Sequence, residues 1–121
     1  VSERLSPVST AQDVLNMQQE LESIGCSRAI MDYITAISEA TRSMQGIRIG
    51  ISPRGSIALM LASKGCAMLD GRRFVLPDDV QRMAYPVLCH RLIMRSKTGV
   101  QQAPQSVIAA ILRSVSVPAA R

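Results

Sequence analysis

The residues best suited to chemistry lie in one short segment, Gly50 to Ser56, which reads GISPRGS. Ser52 followed by Pro53 is typical of a helix start, because a serine hydroxyl caps a helix and proline suits its first position. The first turn of such a helix carries free N–H groups and a partial positive charge. Arg54 lies in that turn, where its guanidinium is placed to hydrogen-bond a phosphate. The competing interpretation is an arginine that pairs with a nearby carboxylate or lies in solvent.

The same segment has the glycine spacing of a phosphate-binding P-loop, but three features exclude that motif. The residue after the second glycine is Ser56 instead of lysine. Ile57 replaces the serine or threonine that would hold magnesium. Pro53 removes an N–H group from the backbone that would surround the phosphate. The segment is therefore interpreted as a helix start.

Other catalytic and metal-binding arrangements have little support in the sequence. His90 is the only histidine, so a Ser-His-Asp or Cys-His set has a single candidate base. Asp78 and Asp79 follow Pro77 at a predicted helix start, where carboxylates complement the helix dipole. The three cysteines include no C-x-x-C pair, and one histidine cannot complete a zinc set. They are predicted to be buried, reduced thiols, which indicates a reducing compartment.

Two helices are predicted before the GISPRGS segment. In the first, Ser9 is the predicted N-cap, Gln12 completes a capping box, and Gly25 ends the helix. In the second, Ser27 is the predicted cap and Gly46 ends the helix. Its apolar stripe has the most regular spacing of three and four residues in the chain, so this helix is expected to face the core.

Three more helices are predicted from that segment onward. The helix over about residues 53–70 is apolar on nearly all sides and is expected to be central, covered by the others. The helix that Pro77 opens is expected to break or kink at Pro86, with helical structure continuing over residues 87–94. Residues 96–104 are polar and predicted to be flexible, and a last helix follows them.

Two short extended segments, residues 47–52 and 72–76, complete the predicted elements. In the first, isoleucines alternate with other residues, which is typical of a strand, and the second reads RRFVL. They are expected to pair as a two-stranded ribbon. The predicted fold class is mainly all-α, a small helical bundle to which this ribbon is a minor addition. At 121 residues the chain has room for one core, which must be aliphatic because aromatic residues are scarce.

The composition bears on partners and on location. Lys plus Arg number 14 against 9 Asp plus Glu, and the net charge of +5 suits nucleic acid, a phosphorylated ligand or an acidic partner. The alternative functions are therefore a small basic helical nucleic-acid-binding module or a protein-interaction module. Scattered arginines and few aromatic residues weaken the first of these. The longest apolar stretch is too short to span a bilayer and no signal peptide is present, so a cytoplasmic location is predicted.

A combination of motifs resembles the C-terminal lid of MoxR-type AAA+ ATPases. In that family a G-x-S-P-R-A/G turn opens a long Ala/Leu helix, a Gly-Arg-x-x-Val-x-Pro-x-Asp-Val segment follows, and then a Leu-x-His-Arg element. The matching residues are 50–55, 71–80 and 88–91. Two weaker matches lie upstream, at residues 32–34 and 40–42. The resemblance covers about residues 8–117, and the motifs are specific in combination although each alone is weak.

This resemblance implies a domain organisation. Residues 1–8 would be the linker from an N-terminal ATPase domain, 9–117 the helical lid, and 118–121 a C-terminal tail. Neither a Walker A nor a Walker B segment is in the sequence, so the chain by itself is expected to be inactive in ATP hydrolysis. ATP and Mg would be bound mainly by the ATPase domain.

The resemblance also implies a site and partners. Arg54 matches the sensor 2 arginine, which in AAA+ proteins reaches the ATP phosphates from the lid, and Ser52, Pro53 and Gly55 would share this nucleotide-binding helix start. The implied partners are the lid's own AAA+ core domain and neighbouring subunits of a ring, usually a homohexamer, with a chaperone-like remodelling role. Proteins with von Willebrand factor A domains are further implied partners, whereas nucleic acid and membrane insertion are not.

Overall fold

The computed structural model of the chain describes residues 4–94 and 103–119. Five α-helices and one two-stranded antiparallel sheet are present in these ranges. In chain order the elements are α1 Ala11–Ser23, α2 Arg28–Ser43, β1 Ile47–Ile49, α3 Pro53–Leu69, α4 Pro77–Leu88, β2 Ile93–Met94 and α5 Pro104–Ser114, with a 3₁₀ turn, Cys89–Arg91, between α4 and β2. The predicted class, a mainly all-α bundle with a short ribbon, is confirmed. Most of the segment predicted to be flexible, 96–104, lies outside the described residues.

The core is aliphatic and lies between α2, α3, α4 and α5. From α2 it receives Ile30, Ile34 and Ile37, which lie on the stripe that the sequence predicted. The fully buried aliphatic side chains from the other elements are Ile51, Leu59, Val80, Leu88, Val107, Ile108 and Ile111. Tyr33 is the one aromatic residue buried among the described residues, so the prediction of an aliphatic core is confirmed.

Helix α3 is not covered on all sides by the described residues, so that prediction is wrong for this part of the chain. Its buried residues follow one another at a spacing of four: Gly55, Leu59, Ser63 and Ala67. Three of the four are small, which allows neighbouring helices to approach closely along this stripe. Ile57 remains 56% exposed. The helix therefore has one packed face and one open face, although its apolar composition is nearly uniform.

The ribbon forms with a different partner from the one predicted. Strand β1 pairs with β2, with Ile47 opposite Met94 and Ile49 opposite Ile93. The RRFVL segment instead makes an isolated parallel bridge, in which the Gly25 N–H donates to the carbonyl oxygen of Arg73 over 2.7 Å. The pairing of 47–52 with 72–76 is thus wrong.

The end of α4 explains that difference. Pro86 lies inside α4 at an exposed position, and the helix continues past it to Leu88. The chain then tightens into the 3₁₀ turn, and Leu92 adopts an extended backbone that leads into β2. Helical structure thus continues to Arg91, so the prediction for residues 87–94 is confirmed to Arg91 and wrong for residues 92–94.

The start of α1 also differs from prediction. Thr10, not Ser9, is the N-cap, and its hydroxyl accepts a hydrogen bond from the Asp13 N–H over 3.1 Å. The Asp13 carboxylate accepts in return from the Thr10 N–H over 2.9 Å, so the capping box exists one residue later than predicted with Gln12. At the other end, α1 stops at Ser23 with Ile24 as its C-cap, so Gly25 follows the end of the helix as predicted and then forms the bridge described above.

Candidate functional site

The start of α3 has the structure that its sequence predicts. Ser52 is the N-cap with an extended backbone, and Pro53 occupies the first turn. The Ser52 hydroxyl accepts from the Gly55 N–H over 3.3 Å, and the Ser52 carbonyl oxygen accepts from the Ser56 N–H over 3.1 Å. Since Pro53 has no N–H, these bonds leave the Arg54 N–H as the unused backbone donor of the first turn. The helix start is largely capped by its own residues.

Arg54 presents its side chain to solvent at this helix start. The residue is exposed, and within residues 4–94 and 103–119 it makes neither an ion pair nor a hydrogen bond. For the competing interpretation, pairing with a carboxylate is not observed in the described chain, whereas exposure to solvent is. The guanidinium is left with donors available for a group that approaches from outside.

A second arginine lies against the same turn. A methyl group built on Gly55 would stand 3.5 Å from Cδ of Arg91, so the Arg91 stem passes over the α-carbon of Gly55. The Arg91 Nε atom is buried and has no hydrogen-bond partner among the described residues. A buried donor without a partner costs about 1–3 kcal/mol. The Arg91 side chain thus lies beside the helix start with one N–H donor that the described residues leave unpaired.

Helix α2 packs against, and hydrogen-bonds to, the residues that precede this site. The Thr41 hydroxyl accepts from the Ile51 N–H over 2.8 Å and donates to the Ser38 carbonyl oxygen over 2.6 Å. Gly50 lies so close to α2 that an added Cβ would meet Thr41 Oγ1 at 2.7 Å and the Arg42 nitrogen at 2.9 Å. The sequence indicated no contact between Thr41 or Arg42 and this segment, although residues 40–42 match the family pattern. Gly50, two residues before the N-cap Ser52, was the signal in the sequence for this close approach.

Asp79 and Arg72 form a pair away from the helix start. Both carboxylate oxygens of Asp79 accept from Arg72, each over 2.7 Å, and one of them also accepts from the Leu76 N–H over 2.8 Å. Burial opposes the charged form of Asp79, but these hydrogen bonds outweigh it and hold its pKa below the ordinary range. The side-chain hydrogen bond to Asp79 also raises the pKa of Arg72, although burial opposes this. Asp79 therefore has a structural role, whereas Asp78 is exposed.

The cysteines are free in the structure. Cys26, Cys66 and Cys89 are each half-buried, so the prediction of reduced thiols agrees with the structure although their burial is partial. Burial raises the pKa of each thiol above its ordinary value, which favours the neutral form. Among the described residues no group of three or more metal-ligating side chains is present. No described helix has both the length and the apolar character needed to cross a membrane.

Known proteins are similar in sequence to this chain. A family model described as the AAA lid domain matches residues 39–111. The protein YeaC of Bacillus subtilis, itself uncharacterized, is 35% identical over 122 residues, 98% of this chain and 38% of that protein. The chaperone MoxR1 of Mycobacterium tuberculosis is 28% identical over 116 residues, 88% of this chain and 31% of that protein.

A solved structure extends the similarity to three dimensions. The crystal structure of a Cytophaga hutchinsonii protein assigned as an ATPase superimposes with a TM-score of 0.81 at 28% identity, over 89% of this chain and 36% of that protein. The chain thus spans between 31% and 38% of the length of these relatives. It belongs to the AAA lid domain family. The MoxR1 relative narrows this to the MoxR-like lids of AAA+ ATPases, as the motifs predicted.

Proposed function

We propose that the chain is the nucleotide-sensing lid of a MoxR-like AAA+ ATPase and that Arg54 is its sensor 2 arginine. The observation that carries this proposal is the exposed guanidinium of Arg54 in the first turn of α3, without an ion-pair partner in the described chain. A guanidinium held there can donate two hydrogen bonds to one phosphate group. It would also stabilise the negative charge that develops at the γ-phosphate during hydrolysis.

The lid residues fit the phosphates of ATP and not its metal ion. Arg54 offers its side chain and its backbone N–H, while Ser52, Pro53 and Gly55 give the helix start its shape. The orphaned Nε of Arg91 adds positive charge beside that start. Mg prefers oxygen ligands, and the described lid residues include no cluster of them, so Mg would be held by the ATPase core.

The remaining parts of the proposal concern the parent protein. ATP hydrolysis would require the Walker segments of the core, so the lid alone would be inactive. The parent would form a homohexameric ring that remodels other proteins, including those with von Willebrand factor A domains. The relative MoxR1 is a chaperone by name, which supports the remodelling role. The three free cysteines support a reducing, cytoplasmic location.

The test is Arg54→Ala in the full-length ATPase that carries this lid. Loss of a donor that acts on transition-state charge is expected to lower ATP turnover on the order of 100-fold. Arg73→Ala is the matched control, because Arg73 is also exposed and lies just after α3. Steady-state kinetics with ATP measure both variants, and circular dichroism checks that each lid remains helical. Turnover equal to that of Arg73→Ala in a folded Arg54→Ala protein would refute the sensor role.

A further inference from the structure

Helix α2 holds both backbone polar groups of the residue that precedes the α3 cap. The Ile51 N–H donates to the Thr41 hydroxyl over 2.8 Å, and the Ile51 carbonyl oxygen accepts from Arg42 Nε over 3.2 Å. Thr41 and Arg42 are adjacent in the chain, so one turn of α2 fixes one peptide segment from two sides. Ile51 itself is 1% exposed, which anchors its side chain in the core as well.

The Thr41 hydroxyl is buried and fully hydrogen-bonded. It is fully buried, and both its donor and its acceptor capacity are used, because it also donates to the Ser38 carbonyl oxygen. Gly50 permits this contact, since any larger residue there would meet the backbone of α2 at 2.9 Å. A buried threonine replaced by an apolar residue would leave the Ile51 N–H without a partner.

A second contact fixes α3 itself. Ser38, three residues before Thr41 on α2, has its hydroxyl 2.6 Å from the Ser56 hydroxyl. Ser56 lies two residues after Arg54. The arginine is therefore bracketed by Ile51 on one side and Ser56 on the other, and both are bound to α2.

We propose that Thr41 and Arg42 are positioning residues, which set the direction in which the Arg54 side chain projects from the lid. This inference rests on the proposed function of Arg54 and adds the residues through which α2 governs it. Neither residue contacts nucleotide in this proposal. Thr41 fixes the Ile51 N–H and Arg42 fixes the Ile51 carbonyl. The N-cap and Arg54 follow Ile51 within three residues of the chain.

The central experiment compares Thr41→Val, Thr41→Ser and Thr35→Val in the full-length ATPase. Valine keeps the shape of Thr41 and removes the hydroxyl, so kcat for ATP is expected to fall on the order of tenfold, as misplaced catalytic groups do. Serine keeps the hydroxyl and is expected to restore kcat to within about twofold. Thr35→Val makes the same chemical change at an exposed residue of α2, whose hydroxyl donates only to Met31 within its own helix. It should match wild type.

A double-mutant cycle with Arg54→Ala separates positioning from a general loss of stability. If Thr41 acts through Arg54, then Thr41→Val causes no further loss of kcat once Arg54 is alanine. An equal tenfold loss in both backgrounds would overturn the positioning role while leaving the proposed function intact. Wild-type turnover in Arg54→Ala would overturn the proposed function and this inference with it.

Arg42→Met provides a variant that keeps the core intact. Arg42 is exposed, so its loss removes the hydrogen bond to Ile51 without creating a cavity. We expect Arg42→Met to lower kcat by about threefold, and to cause no further loss of kcat when Arg54 is already alanine. Arg48→Met on β1 is the control and should leave kcat unchanged. Hydrogen exchange of the Ile51 and Gly55 amides should accelerate in Thr41→Val and Arg42→Met but not in the controls. Unchanged exchange together with unchanged kcat in Arg42→Met, or in a folded Thr41→Val, would overturn the proposal.

Discussion

Arg72 and Asp79 connect the end of α3 to the start of α4 through one ion pair. The Asp79 side chain is 2% exposed and that of Arg72 is 23% exposed, so the carboxylate depends on its partners for solvation. Arg72 supplies two hydrogen bonds in a planar fork, and the Leu76 N–H supplies a third. Arg72 also contacts Asp70 over 3.0 Å, which ties the turn after α3 into the same group. Removal of Arg72 would leave the buried Asp79 carboxylate with the Leu76 N–H alone, and removal of Asp79 would leave the partly buried Arg72 with Asp70 as its remaining carboxylate.

Asp79→Asn is therefore expected to destabilise the lid by about 2–3 kcal/mol, less than for a fully buried pair because Arg72 retains some solvent. The lowered pKa of Asp79 means that its contribution is complete above the unfolded-state pKa of about 4 and is lost as pH falls through the folded-state value. Urea unfolding at several pH values measures this. The stability difference between wild type and variant should narrow below pH of about 4.

Asp78→Asn is the matched control, because it removes the neighbouring, exposed carboxylate from the same helix turn. Its effect on stability should be within about 0.5 kcal/mol. A difference between Asp79→Asn and wild type that stays constant down to pH of about 2 would contradict the assignment of the lowered pKa to the folded state.

At the scale of the elements, the features that depend on neighbouring residues were predictable and those that depend on distant ones were not. Ser52–Pro53 and Pro77 are local signals, and both helices begin where they indicate. The partner of β1 depends on where the chain goes after α4, and Ile93 carries no local sign that a strand has begun. The face that α3 buries depends on which helices cover it, so its nearly uniform apolar composition could not predict which face is buried.

The candidate site divides in the same way. Arg54 at a capped helix start follows from the residue order alone. The role of Thr41 depends on a close approach of two segments, and in the sequence its place on the α2 stripe resembles that of a small apolar residue. The orphaned Nε of Arg91 depends on the fold of the 3₁₀ turn against Gly55. These contacts require the three-dimensional structure.

The close approach of α2 to the start of α3 predicts opposite effects for two glycine substitutions. Gly50→Ala would place Cβ at 2.9 Å from backbone atoms of α2, so we expect destabilisation of about 2 kcal/mol. Gly65→Ala lies inside α3, where an added Cβ meets nothing within 4 Å, so alanine should stabilise by about 0.5–1 kcal/mol through helix propensity. Thermal and urea unfolding of the two variants measure the difference. Equal stabilities would show that Gly50 is not required by contact with α2.

At the scale of the whole molecule, the positive charge is dispersed instead of concentrated. Arg28 pairs with Asp32 over 3.2 Å, and Arg72 pairs with Asp79. The exposed arginines without an acidic partner among the described residues are Arg4 before α1, Arg42 on α2, Arg48 on β1, Arg54 on α3, Arg73 after α3, Arg82 on α4 and Arg113 on α5. They lie on different elements, and no described helix carries more than one of them.

This distribution predicts that the chain binds duplex DNA only weakly and with little dependence on salt. Each phosphate neutralised contributes about −0.9 to the slope of log K against log salt concentration, and scattered arginines cannot reach many phosphates at once. We expect a slope shallower than about −2 in fluorescence anisotropy titrations with a labelled duplex. A slope steeper than about −4 would favour the nucleic-acid-binding alternative. Arg54→Ala and Arg73→Ala should then differ little from each other, because each removes a single arginine from a set that lies on different elements, whereas ATP turnover in the full-length protein should separate them.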